Sequence, residues 1–236
     1  TFDQALVLRS LTIAMEKIRE EDPTNYLNNP DYIKYDIAAK KLVGVLRVFQ
    51  QGDGSWVNAF DDYNTGRTNN KDQGNGVHLW VIFALSEYSK LTNDKDAYDS
   101  AKKAALWIIN NRWNKETNTV FYNFGTQQNP INIAVTEDNI DAWYAFSSLA
   151  SAAKLFNDST NETKYQNLTD GGKNHLLTRA YGNHTWYGSN PNIPITGTYF
   201  AAGVNVDTEQ VSDAELFADN QLWGAHFLRD SGAKSE

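Results

Sequence analysis

The chain has 236 residues, enough for one sizeable core or two small ones, and it contains no cysteine, so disulfides, thiolate metal sites and cysteine nucleophiles are excluded. Hydrophobic residues make up 41% and charged residues 21%, a globular balance, and no apolar run approaches the roughly 18 residues of a membrane span. Basic residues number 21 against 29 acidic ones, and the resulting charge of −8 carries no basic cluster, which argues against a nucleic-acid partner. Seven Trp, twelve Tyr and abundant Asn suit sugar binding, although aromatics also fill cores. The first residue is Thr1 rather than Met and no signal segment precedes the fold, so a signal, if there was one, is gone; localisation is left open, with an extracellular or cell-surface setting favoured.

Apolar spacing predicts a first helix from Phe2 to Ile18, a loop bounded by Pro23 and Pro30, and a second helix from Tyr32 to Gln51 that ends in the turn Gly52-Asp53-Gly54-Ser55. After a polar stretch from Asn58 to Gln73, helices are predicted over Val77–Leu91 and Asp96–Trp113, separated by Thr92-Asn93-Asp94. An extended piece, Thr119–Phe124, leads to Thr136, which with the acidic Glu137 and Asp138 predicts a helix start running to about Phe156. A return helix follows from Glu162 to Tyr181, with Gly171-Gly172 as an interruption, then extended pieces at Thr185–Tyr187 and Thr198–Val204, and a last helix from Ala214 to Leu228.

The hairpins superpose on one another. Arg47, Arg112 and Arg179 fall near the ends of the return helices, each followed by a turn and an aromatic stub: Trp56, Phe121-Tyr122 and Trp186-Tyr187. Among the opening helices, Val77-His78-Leu79-Trp80 aligns with Ile140-Asp141-Ala142-Trp143 and with Asn220-Gln221-Leu222-Trp223, so Trp80, Trp143 and Trp223 are expected at one repeat position and His78, Asp141 and Gln221 at another. The predicted fold is all-α: α-hairpin repeats forming part of an (α/α) toroid, with short β stubs in the loops.

The helix start Thr136-Glu137-Asp138-Asn139-Ile140-Asp141-Ala142-Trp143 resembles the Thr-Glu-His-Asn-Ile-Asp-Ala-Tyr-like start found in the six-hairpin glycosidase-like (α/α) toroids, among bacterial members of no assigned activity. Asp138 and Trp143 depart from that pattern, and Asp219-Asn220-Gln221-Leu222-Trp223-Gly224 resembles the same start one unit on. The resemblance implies a toroid whose inner helix starts open onto a face where glycans are bound and cleaved. A full ring would need about 360 residues, so residues 1–236 are expected to be a single, incomplete domain of about three and a half hairpins. Its uncovered flank beside the last helix is then expected to self-associate or to be covered by a further segment. Gln50-Gln51-Gly52-Asp53-Gly54-Ser55-Trp56 is similar to the Gln-and-Trp repeat of terpene cyclases, but that chemistry needs spaced aspartate clusters and only Asp61-Asp62 stands here.

Glycoside hydrolysis needs one carboxyl group to protonate the leaving oxygen and another to activate water or attack. Asp141, Glu137 and Asp219 are the catalytic candidates; Glu137 and Asp141 are four residues apart and share a helical face. The helix dipole at that end favours the ionised form, which suits a base or nucleophile better than an acid. Asp138, His78, Gln221, Trp56, Tyr63, Trp143, Trp186 and Tyr187 are the candidate carbohydrate-binding residues, by hydrogen bonding or by stacking on sugar rings. The alternative for Glu137 and Asp138 is a dipole-favouring role behind a Thr136 cap, and for the repeated Trp residues a packing wedge. The loop Asp61-Asp62-Tyr63-Asn64-Thr65-Gly66 lacks the acidic spacing and closing Glu of a calcium loop, so no metal and no cofactor is assigned. A carbohydrate-active, glycoside hydrolase-like protein is therefore the leading expectation, with a non-catalytic glycan-binding or structural surface protein as the alternative.

Overall fold

The computed structural model describes residues 1–57, 74–120, 133–186, 195–205, 207–208, 210–212 and 218–233. They divide into two compact units, Thr1–Asn110 with Ala145–Tyr165, and Asn111–Tyr144 with Gln166–Glu236. The fold is mostly α-helical with short β stubs, as the apolar periodicity implies.

In the first unit, α1 (Phe2–Glu21) packs against both α2 (Pro30–Phe49) and α3 (Asn75–Thr92). Pro30 bounds the loop as expected and is itself the first residue of α2, two residues before the predicted start, where its missing N–H costs nothing, and the Asn29 side chain accepts from the N–H groups of Asp31 and Tyr32. Asn93 ends α3 in the left-handed conformation at φ 59°, and the Asp94 carboxylate caps α4 (Lys95–Asn111) by accepting from Ala97 N–H at 3.0 Å. Leu8, Met15, Leu79, Ile82, Leu85 and Ile108 are wholly buried and form the centre of this unit with Phe146 and Tyr165. Large apolar side chains left exposed gather on α1 and α2, at Val7, Ile13, Ile33, Ile37 and Val48, whereas α7 (Ala218–Asp230) leaves Leu222 outward.

The second unit carries the strands. β1 (Trp113–Asn114) pairs with β2 (Thr119–Val120), and β3 (Ile133–Val135) leads into α5 (Thr136–Leu155), of which residues 136–144 belong to this unit. The return helix α6 (Ser159–His175) runs unbroken through Gly171-Gly172 and finishes in a π-helical turn, Leu176–Ala180. It passes into β4 (Tyr181–Trp186), which forms an antiparallel ribbon with β5 (Ile195–Phe200). β6 (Gly203–Asn205) lies between β3 and β7 (Val211–Ser212). Ile140, Leu176, Phe200, Val204 and Phe227 make the core of this unit. A Cβ on Gly224 would overlap the Phe200 ring, so α7 sits as close to the end of β5 as a glycine allows. Among the described residues no helix is long and apolar enough to cross a membrane.

Candidate functional site

The three helix starts that the sequence aligns are built alike at their fourth residue. In α3 this is His78, buried, whose Nε2 accepts from Trp56 N–H at 2.9 Å while Nδ1 lies 2.8 Å from Gly74 O. An Nε2 that accepts leaves Nδ1 as the donor, so the ring is the neutral tautomer with both nitrogens engaged, stacked on Trp107 at 4.3 Å. In α5 the fourth residue is Asn139: its Oδ1 accepts from Val120 N–H at 2.9 Å, and its Nδ2 donates to Val135 O at 2.7 Å and Val120 O at 3.3 Å. In α7 it is Gln221, whose Nε2 donates to Phe200 O at 2.7 Å while Oε1 accepts from Phe200 N–H at 3.0 Å. Each polar side chain pins the backbone of an extended segment and satisfies groups that would otherwise be buried without partners.

This shared duty corrects the expected alignment. His78 registers with Asn139 and Gln221, not with Asp141, and the sixth residues of the three helices are then Trp80, Asp141 and Trp223. Trp143 lies two residues further along, packed edge-on against Phe227 at 5.2 Å and Tyr144 at 4.8 Å, and is not equivalent to Trp80, which meets Phe2 and Phe83 edge-on. The sixth position is aromatic in two helices and a carboxylate in the third.

Asp141 is only 5% exposed. Trp223 Nε1–H, from the matching position of α7, donates to Asp141 Oδ1 at 2.7 Å, so the starts of α5 and α7 are joined through these side chains. A charge-assisted bond of this kind is what keeps a buried carboxylate tolerable. Trp223 in turn stacks on Tyr144, with ring centroids 4.8 Å apart, and Tyr144 Oη–H donates to Asp230 Oδ2 at 2.8 Å. Burial, reinforced by donation to Asp230, pushes the Tyr144 phenol up, so it remains a hydrogen donor throughout the neutral range. Thr136 begins the helix buried, its hydroxyl donating to Ala201 O and its N–H to Ala202 O. Glu137 is exposed and Asp138 half-buried, one turn before Asp141.

The remaining expected site residues fall in several places. Trp56 is wholly buried, with Nε1–H donating to Leu46 O at 2.7 Å, and lies with His78 inside the first unit. Its neighbours explain the Gln50-to-Trp56 motif. Gln50 Nε2 donates to Gly54 O and Ser100 O, Ser100 Oγ–H donates back to Gln50 Oε1, and Gly54 takes φ 101° close against Lys103 O. The motif therefore fastens a turn to α4. Trp186 ends β4 and Asp219 lies in the first turn of α7, but their side chains, like Tyr63, Asp61, Asp62 and Tyr187 altogether, lie outside the described residues. Among the described residues no group of His, Asp or Glu side chains is arranged to hold a metal ion. Asn139 and Trp223 are the residues that spacing alone missed as partners, since their roles depend on segments that reach them only in the folded chain.

Comparison with known proteins places the fold. No family model matches the chain, and no curated protein matches its sequence. Among solved structures, a D-mannose isomerase superposes on 85% of this chain with a TM-score of 0.59 at 15% identity, which shows a shared fold. A family 10 polysaccharide lyase from Cellvibrio cellulosa covers 71% of the chain at 18% identity with a TM-score of 0.46. The chain spans 45% of the length of the isomerase and 51% of that of the lyase.

Proposed function

We propose that the protein acts on an oligo- or polysaccharide by hydrolysis, with Asp141 as base or nucleophile and Glu137 or Asp219 supplying the second carboxyl group. The observation that carries the reading is the Asp141–Trp223 pair: a carboxylate at the start of α5, 5% exposed and oriented by an indole N–H. The fourth position of each helix start serves the backbone, whereas Asp141, two residues on in α5, presents its carboxylate to Trp223. The Trp223 N–H orients the Asp141 carboxylate, as a base or nucleophile requires. Asp138, Trp143, Trp186 and Tyr187 are the residues proposed to contact sugar, and Trp223 acts through Asp141 as a positioning residue. The shared fold with a D-mannose isomerase supports a carbohydrate as the molecule acted upon.

The test is reducing-end release from a panel of neutral and acidic polysaccharides by wild type and Asp141→Asn. The amide oxygen of Asn still accepts from Trp223, so the expected result is loss of cleavage with an intact fold. Cleavage that persists in Asp141→Asn would remove Asp141 from the reaction, and conversion of free mannose to fructose without chain cleavage would overturn the hydrolytic reading.

A further inference from the structure

The second unit contains a hollow of about 160 Å³ that the Asp141 face does not use. Three segments build it. The β1–β2 hairpin contributes Glu116, Thr117 and Asn118; α6 and its π-helical turn contribute Asn174, His175, Thr178 and Arg179 beside Gly171; β6 contributes Val204 and Asn205. Gly171, Asn174, His175 and Thr178 follow one helical face, and the π turn brings Arg179 in beside them. Such π-helical turns are rare and recur at functional sites.

Two features fix the floor of the hollow. Asn118 adopts the left-handed conformation at φ 54°, open to Asn more readily than to most residues. A Cβ on Gly171 would come within 2.8 Å of Asn118 Cγ, so the glycine that fails to interrupt α6 is what allows the Asn118 side chain to lie across it. His175 beside it is buried.

From this juxtaposition of the 116–118 hairpin, the 171–179 helix end and β6 we infer that the hollow binds a single neutral pyranose unit. The argument is chemical. Three amides and two hydroxyls outnumber the charged groups, and amides and hydroxyls both donate and accept, as sugar hydroxyls do. The lining holds one guanidinium, Arg179, and one carboxylate, Glu116, so it carries no surplus positive charge for a phosphate or other dianion. Among the described residues no Phe, Tyr or Trp lines the hollow, the one ring there is the buried His175 imidazole, and Val204 supplies one apolar surface for a sugar ring's C–H face. The volume is close to that of a cavity known to hold one six-membered ring. The site shares no residue with the Asp141 pair and does not depend on hydrolysis.

The experiment titrates the full chain with methyl α-pyranosides of mannose, glucose and galactose, with galacturonate, and with free alanine as a zwitterion, following backbone amide signals of residues 116–118 and 204–205 by NMR. A neutral pyranoside is expected to saturate these signals with a dissociation constant in the millimolar range. Asn118→Gly keeps the left-handed backbone while removing the amide, and Arg179→Gln removes the fork of donors; each is expected to weaken binding at least about tenfold. Gly171→Ala, which elsewhere favours a helix, is expected to weaken it too by displacing Asn118. Asp141→Asn is expected to bind as wild type does, so loss of cleavage and loss of this site are separable. The inference is overturned if no neutral pyranoside moves these signals, if alanine or galacturonate saturates them in its place, or if Asn118→Gly and Arg179→Gln bind unchanged.

Discussion

The starts of α3 and α5 use the same architecture for different ends. At α3, in the first unit, the polar fourth residue and the aromatic sixth are both absorbed by packing: His78 holds Trp56 and stacks on Trp107, and Trp80 meets Phe2 and Phe83. At α5, in the second unit, Asn139 performs the holding, and the sixth position carries Asp141, a buried carboxylate joined to Trp223 of α7. The difference sets a position filled by aromatic packing against one filled by a carboxylate, the residue proposed to serve chemistry. A repeat shows what each position must do structurally, and the residue that departs from it stands out.

The largest effect is expected at α3. His78→Leu removes the acceptor of Trp56 N–H and one of the donors to Gly74 O inside a filled core, and a loss of about 3 kcal/mol, on the order of 10 °C in melting temperature, is expected by calorimetry. A loss below about 1 kcal/mol would show that His78 is not a structural clamp. Asn139→Ala is next: it strips Val120 of both its backbone partners from that side chain, with an expected loss of about 2 kcal/mol in chemical unfolding. Gln221→Ala, a half-buried clamp on Phe200, is expected to cost about 1 kcal/mol, which would complete the series.

A smaller effect sharpens the contrast by pH. Asp158 heads α6 in the first unit; burial alone would raise its carboxyl, but hydrogen bonds from Asn161, Tyr98 and Lys102 outweigh that and hold it at about 2. Its folded pKa lies below its ordinary value of 3.8, so its contribution is fully present above that value and disappears as pH falls towards 2. These groups stay within reach of solvent, so the contribution is at most about 1 kcal/mol. Wild type is therefore expected to lose stability relative to Asp158→Asn between about pH 5 and pH 2. Parallel stability curves for the two proteins would contradict the assignment.

The helices were largely legible in the sequence because their apolar spacing and caps are local. Asn93-Asp94 separates α3 from α4 where expected, and Thr136 begins α5 as its acidic first turn implies. What failed depended on distant contacts. Gly171-Gly172 looked like a break because nothing in the local sequence announces that Asn118, 53 residues earlier, lies against the helix there. The Trp residues drew the repeat alignment two positions out of register in α5, since Asn139 declares itself as the counterpart of His78 and Gln221 only when Val120 is seen against it. For the candidate site, Asp141 was legible as a carboxylate inside an apolar helix, while its indole partner from α7 was not.

The central claim is that Asp141 serves chemistry and Asn139, two residues away, serves the fold. The most direct test compares Asp141→Asn with Asn139→Ala in one experiment, measuring polysaccharide cleavage per folded molecule together with melting temperature. The account predicts that Asp141→Asn melts within about 1 kcal/mol of wild type with cleavage reduced by at least about a hundredfold, while Asn139→Ala melts earlier and keeps its cleavage rate per folded molecule. An Asp141→Asn protein that loses about 2 kcal/mol or more and retains its cleavage rate would contradict it, because the carboxylate would then be another fastening of the fold.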